Sequence, residues 1–212
     1  MNEVPFSTVF ALALRGEQTH VVRVGDEPVA LPVGEWTQPA DVNDHRMLDL
    51  CIGPTLDVGC GPGRMTAELA NRGHVVLGID VVHEAVGQTR ERGGAAMLRD
   101  VFDELPGEGR WESALLADGN VGIGGDPVAL LHRLSNVIDP RGRVVVEVAR
   151  PGVLASTHWA ALQTGEQRSR PFKWSVVGVD SIEATAAEAG LAVASVERIG
   201  ERRWVAVLQG AV

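Results

Sequence analysis

The sequence predicts an α/β fold: a seven-stranded, mostly parallel sheet with covering helices, closed by an antiparallel C-terminal hairpin. Three observations predict it. From about Thr55 onward, short apolar runs alternate with segments of helical character, as expected of parallel strands joined by crossover helices. The first of these runs leads directly into a glycine-rich turn, Gly59-Cys60-Gly61-Pro62-Gly63. The last two are joined only by Gly200-Glu201-Arg202-Arg203, too short a link for a parallel crossover, so they must pair as a hairpin.

The five parallel-strand candidates are TLDV (55–58), VVLGI (75–79), AAML (95–98), SALLA (113–117) and VVVEV (144–148), each in the short continuous apolar form of a buried strand. After the fourth, Asp126 caps a helix, Pro127 suits its first position, and Val128, Leu131, Leu134 and Ile138 share one face. Asp139-Pro140 should end it, since proline disfavours helix before it. A later helix should start near Asp180, with Glu183 at capping-box spacing, and stop at Gly190. The runs LAVASVERI and WVAVLQ form the terminal hairpin. Upstream, THVVRV and PVALPV flank Gly25-Asp26-Glu27 as a further hairpin candidate, followed by a helix around 44–51.

Length and composition place these elements in one domain. With 212 residues, 45% of them hydrophobic and 22% charged, the chain can bury a substantial core but not two. It lacks a long uncharged apolar run and a basic leader, which implies a cytoplasmic protein without membrane contact. The two cysteines, Cys51 and Cys60, are too few for a disulfide framework. The six histidines show no HxxxH or HExxH spacing, so no metal is expected. A net charge of −9 without a basic stripe argues against nucleic acid as a partner.

The turn after the first strand carries the chemistry. Three glycines at alternate positions let the backbone approach a ligand closely, and the next helix offers unpaired N–H groups. The dinucleotide fingerprint needs a small residue at its sixth position, where this chain has Arg64. The pattern LDVGCGPGR (56–64) closely resembles motif I of the class I S-adenosylmethionine-dependent methyltransferases, and the resemblance extends over roughly 50–150. It implies a Rossmann-like, doubly wound sheet whose final strand is antiparallel, with S-adenosylmethionine as cofactor and S-adenosylhomocysteine as product.

The resemblance also assigns the cofactor contacts. Gly59, Cys60, Gly61 and Gly63 form the turn, and Asp57 orients the loop or the donor's ammonium group. Asp80 and Val81 end the second strand, where an acidic side chain can accept hydrogen bonds from both ribose hydroxyls. An N-cap role for Asp80 competes with this. Asp100 and Val101 would meet the adenine, with Phe102 as an alternative to Val101 and a solvated loop aspartate as the competing reading of Asp100. Asp118 and Gly119, in the loop ADGNVGIGGDP (117–127), lie with Asn120 toward the methionine end and the acceptor. That loop lacks the Asn/Asp-Pro-Pro-Tyr/Phe motif of the amino-methylating nucleic-acid and protein-glutamine branches. Its remaining glycines, Gly122, Gly124 and Gly125, also suit a flexible connector.

The catalytic domain is expected over 55–212, with 1–54 as a non-independent extension and 150–179 as an acceptor-side insertion. The insertion brings His158, Trp159, Arg168, Arg170 and Trp174, and the extension brings Trp36, Asp41, Asp44 and His45. Aromatic walls with a few polar groups suit a small-molecule acceptor, methylated on oxygen or nitrogen, and Arg168 or Arg170 can orient an anionic group. His158 is the candidate base by residue type, set against a packing role; no catalytic residue is assigned. Two other readings stay open: a donor-binding regulatory or partner subunit without turnover, and a nicotinamide-dependent oxidoreductase.

Overall fold

The computed structural model describes residues 3–23 and 26–210. The N-terminal segment supplies β1 (Glu3–Val4), α1 (Phe6–Leu14), β2 (Thr19–Arg23), β3 (Val29–Ala30), α2 (Val33–Trp36) and α3 (Val42–Leu48). The central run is β4 (Thr55–Val58), α4 (Arg64–Asn71), β5 (Val76–Asp80), α5 (His83–Glu91), β6 (Ala96–Leu98) and β7 (Trp111–Leu116). A 3-10 segment (Asn120–Gly125), α6 (Pro127–Val137) and β8 (Ile138–Val148) complete it. There follow β9 (Ser156–Thr164), β10 (Gln167–Ser169), β11 (Phe172–Val176), α7 (Val179–Glu188), β12 (Leu191–Arg198) and β13 (Trp204–Gly210).

Seven strands form the main sheet in the order β12-β13-β8-β7-β4-β5-β6. All neighbours from β8 to β6 are parallel, and β13 alone runs against both strands beside it. Alternation along each strand sends side chains to two covered faces. Leu56, Ala114, Leu116, Val144 and Val146 pack toward Leu130, Leu131 and Leu134 of α6, whereas Leu115 and Val145 pack toward Met47 and Leu48 of α3 and Met65 and Leu69 of α4. Strand order reverses between β4 and β7, which opens a crevice at their C-terminal ends, where α/β sheets bind ligands.

Most predicted elements appear within a residue or two. Asp126 caps α6 by accepting the Ala129 N–H at 2.9 Å, with Pro127 at the first turn as expected. Strand β8 begins at Ile138, six residues before the VVVEV run, and two helix ends differ in detail. Helix α6 stops at Val137 because Ile138 is already paired with Trp111 in the sheet, and the register shift that follows accommodates Pro140, which lacks an N–H. Helix α7 has Gly178 at its N-cap; Asp180 does not cap it but accepts the Gly152 N–H at 2.6 Å, drawing the β8–β9 connection onto the helix start.

A second sheet, β1-β10-β9-β2-β3 with β11 also on β9, was not predicted. Its long strand β9 takes β2 on one edge and β10 and β11 on the other. The N-terminal extension and the 150–179 insertion, separate in sequence, therefore contribute strands to one sheet. The predicted N-terminal hairpin appears as His20 opposite Ala30 and Val21 opposite Val29; Val24 and Gly25 of its turn lie outside the described residues. Among the described residues no helix is long and apolar enough to cross a membrane.

Candidate active site

The turn at 59–63 leaves β4 and is tied to the neighbouring strand: the N–H groups of Gly59 and Cys60 both donate to the Ile79 carbonyl, at 2.9 and 3.0 Å. Gly59, Gly61 and Gly63 all have left-handed backbone, φ 70°, 53° and 84°. A Cβ on Gly59 would sit 2.8 Å from Asn120 Nδ2, and one on Gly63 2.5 Å from Thr89 Oγ1, so packing excludes side chains there. Gly61 differs, because a Cβ there would meet nothing within 4 Å. Gly119, across the crevice, is equally open. Two glycine backbones thus face free space at the strand-order reversal.

Asp80 binds the turn and the next helix together. Its Oδ2 accepts the Gly61 N–H at 3.0 Å and its Oδ1 the Val82 N–H at 2.8 Å, immediately before α5. Burial raises its pKa, against these two hydrogen bonds. Beside it the strand ends leave apolar side chains uncovered: Val81, Leu98 and Phe102 are each about half exposed, and Leu98 lies opposite Asp80 in the β5–β6 register. Val101 is instead buried in the core, and Asp100 is exposed, accepting the Phe102 N–H at 3.0 Å. Of the two ring-packing candidates, Phe102 is the one open to a ligand.

Asp57 lies inside β4, accepting the Thr66 hydroxyl at 2.6 Å. Burial pushes its pKa up to about 6, against that hydrogen bond. Cys60 is a free thiol in the same layer, pushed well above the ordinary thiol range by burial, and Cys51 is pushed to about 12 for the same reason. Both are neutral and unreactive.

Arg64, the first residue of α4, is buried and spans two carboxylates. Its Nε and Nη2 donate to Asp44 Oδ2 and Oδ1 at 2.8 and 3.0 Å, and its Nη1 and Nη2 to Asp118 Oδ2 and Oδ1 at 2.7 and 2.9 Å. Arg203 in the terminal hairpin continues the network, donating to Asp44 at 2.7 Å and to both oxygens of Glu147 at 2.9 Å. Glu147 also accepts the Asp118 N–H at 3.0 Å. Burial pulls Asp44 upward, but the hydrogen bonds from Arg64, Arg203 and the Asp41 N–H outweigh it and hold the carboxyl at about 2. This lattice fixes Asp118, the only non-glycine described residue with left-handed backbone, φ 53°.

Asn120 does not turn toward the crevice as expected. Its side-chain amide donates to the carbonyls of Val58 and Gly59, both at 2.9 Å, and so clamps the turn. Two of the glycines that follow, Gly122 and Gly125, are required by packing rather than by flexibility. A Cβ on Gly122 would lie 2.1 Å from the Ser175 carbonyl oxygen, and one on Gly125 2.2 Å from Lys173 Cβ. Strand β11 therefore rests directly on the 3-10 segment.

The other acceptor-side candidates separate. Trp174 lies across from His158 on one face of β9 and β11, and His158 Nε2 pairs with the Ser156 hydroxyl at 2.9 Å. Trp159, on the opposite face, is 58% exposed, with the Lys173 ammonium 5.4 Å from its ring. Arg170 is exposed, and Arg168 has a buried Nε without a partner among the described residues. Asp41 caps α3, and His45 lies 3.6 Å from Glu68 of α4.

Residues 55–142 match the family model of a methyltransferase domain. A ubiquinone biosynthesis O-methyltransferase of Bordetella parapertussis is 27% identical over 129 residues, 60% of this chain and 48% of that protein. The chain thus spans about half the length of that curated relative. Among solved structures, a Bacteroides fragilis methyltransferase in complex with S-adenosyl-L-homocysteine matches at TM-score 0.83 with 20% identity, covering 98% of this chain and 95% of that one. A Burkholderia thailandensis 1,6-didemethyltoxoflavin N1-methyltransferase matches at 0.62 with 18% identity, covering 91% and 95%. At 98% coverage the first of these likenesses extends over the second sheet.

The fold brings Asp57, the turn, Asp80, Asp118 and Gly119 to one edge of the main sheet. Asp100 is exposed two residues beyond β6, bonded to the Phe102 N–H. The sequence reading missed Leu98, Thr66 and the Arg64 lattice. Arg64 had a visible signal, a cation immediately after a motif glycine, but its partners Asp44 and Asp118 lie 20 and 54 positions away.

Proposed function

We propose that this protein is an S-adenosylmethionine-dependent methyltransferase acting on oxygen or nitrogen of a small-molecule acceptor. The observation that carries the proposal is the pairing of the open turn at Gly61 with the Asp80 carboxylate at the strand-order reversal. The relatives' names, an O-methyltransferase and an N1-methyltransferase, support the reaction class.

The residues present fit the donor. Gly61 and Gly119 leave open backbone where a ligand can lie close, and Asp80 keeps a second lone pair on each oxygen for ribose hydroxyls. Val81, Leu98 and Phe102 offer uncovered apolar surface to an adenine ring, with Asp100 beside them. Asp57 in its ionised form suits an ammonium group, and Asp118 and Gly119 adjoin the methionine end. The bound donor supplies an activated methyl on a sulfonium whose thioether leaves readily. The protein's part is then orientation and the exclusion of water. Strand β11 on the 3-10 segment performs the exclusion, and the Arg64 lattice holds the Asp118 loop in place.

The test is incubation with methyl-labelled S-adenosylmethionine and fractionated small-molecule extracts. Label in an acceptor, with S-adenosylhomocysteine released in equal amount, is the expected result. Donor binding with no label transferred to any fraction would favour the non-catalytic reading.

A further inference from the structure

The chain has four phenylalanines, five tryptophans and no tyrosine, and five of these nine rings form one row. Trp36 of α2 meets Phe10 of α1 at 6.0 Å between ring centroids, and Phe10 stacks on Phe6 at 5.3 Å. Phe6 meets Phe172 of β11 edge-on at 4.9 Å, and Phe172 meets Trp174 edge-on at 6.5 Å. A core aromatic in this protein is covered, as Trp111 is at 8% exposure. None of the five is; all remain half-buried.

The row ends at a cleft. Trp174 borders an open cleft of about 200 Å³ together with Gly119, Val121, Glu147, Val148, Val177 and Arg202, so the indole and the open glycine of the donor-side loop face one space. Its size suits a single ring with small substituents, an apolar cavity of about 150 Å³ being enough for benzene, and its lining mixes apolar side chains with Glu147 and Arg202. Its Glu147 is committed to Arg203 and the Asp118 N–H. Ring faces and edges prefer to pack on another ring.

We propose that the acceptor is a monocyclic aromatic compound bearing a hydroxyl or amine, seated against Trp174 at the end of this row. The proposal rests on the methyltransferase reading and deepens it. The ring orients the acceptor by packing on Trp174, and the second sheet, which contributes Phe172 and Trp174, determines specificity.

Catechol and cyclohexane-1,2-diol differ in aromaticity while carrying the same hydroxyls, and binding of each is measured by calorimetry or ligand-observed NMR with S-adenosylhomocysteine saturating. Catechol is expected to bind at least about tenfold more tightly. Trp174→Leu should remove most of that preference and Trp174→Phe restore much of it, with S-adenosylhomocysteine affinity changed by less than about twofold in both, which also reports that the variants fold. Equal binding of the two diols, no binding of catechol, or an undiminished preference in Trp174→Leu overturns the proposal and leaves the donor site standing. Failure of S-adenosylhomocysteine to bind the natural protein overturns the methyltransferase reading instead, and the two diols compared without it still decide whether the row selects rings.

Discussion

Arg64 grips Asp118 through two parallel hydrogen bonds, of 2.7 and 2.9 Å, while the same guanidinium holds both oxygens of Asp44. One buried cation thereby joins the N-terminal extension, the helix after the glycine turn and the loop after β7. Burial pulls its pKa down, but the hydrogen bonds to the two aspartates more than reverse this, so it stays charged.

Arg64→Met should be strongly destabilising, because it leaves the buried Asp44 carboxylate short of a partner and releases the more exposed Asp118. Breaking such a lattice from one side typically costs about 3–5 kcal/mol. Urea denaturation measures it; a loss below about 1 kcal/mol would mean that Arg203 alone sustains Asp44 and that the Asp118 loop holds its shape unaided.

Asp57 should make stability fall as pH rises. Its folded pKa of about 6 exceeds the ordinary 3.8, so the native state holds the proton more tightly than the unfolded chain. Ionising it costs nothing below the unfolded value, and the cost accumulates between 3.8 and about 6 to about 3 kcal/mol at neutral pH. Asp44, lowered to about 2, acts oppositely: its contribution is present above 3.8 and is lost as pH falls toward 2. Asp57→Asn keeps an acceptor for Thr66 and should stabilise the protein near neutral pH by about 1–3 kcal/mol, the gain vanishing near pH 4. An equal gain at both pH values would contradict this assignment.

The same titration should appear in donor affinity. If the ionised Asp57 meets the ammonium group, S-adenosylhomocysteine binding strengthens by up to about tenfold per pH unit as pH rises toward 6 and then levels off. Asp80, Asp118 and Arg64 act on the same carboxyl and set where the change falls. In Asp57→Asn the profile should be flat; a flat profile in the natural protein would remove Asp57 from the ammonium site.

Two glycine substitutions should separate the donor side from the acceptor side. Gly61→Ala meets open space but requires left-handed backbone, so its stability cost is about 1–2 kcal/mol while its methyl group would stand in the space proposed for the donor. Gly122→Ala instead drives into the Ser175 carbonyl oxygen at 2.1 Å and should displace β11. Calorimetry is expected to show lost S-adenosylhomocysteine binding in Gly61→Ala and retained binding in Gly122→Ala. Retention by both variants would detach the turn from the donor.

The main sheet was legible because its strands are buried on both faces and read as short apolar runs, and because the turn at 59–63 has a residue type at each position that few backbones need. The second sheet was not. Strand β9 mixes Thr157, His158 and Trp159 with Ala160 and Leu162, and its partner β2 lies more than 130 positions away. One local signal existed in Gly165-Glu166, a two-residue hairpin link between β9 and β10. The roles of Asn120 and Asp180 were misread because each is satisfied by a distant backbone group, Val58 and Gly59 for one and Gly152 for the other. Local capping rules do not see such partners.

The most direct test of the central claim is calorimetric titration of the natural protein and Asp80→Ala with S-adenosylhomocysteine and, in parallel, NAD⁺. The natural protein is predicted to bind one S-adenosylhomocysteine and no NAD⁺, with affinity falling by at least about tenfold in Asp80→Ala as the hydrogen bonds to the ribose are lost. Binding of NAD⁺ in place of S-adenosylhomocysteine, or unchanged affinity in a folded Asp80→Ala, would contradict it.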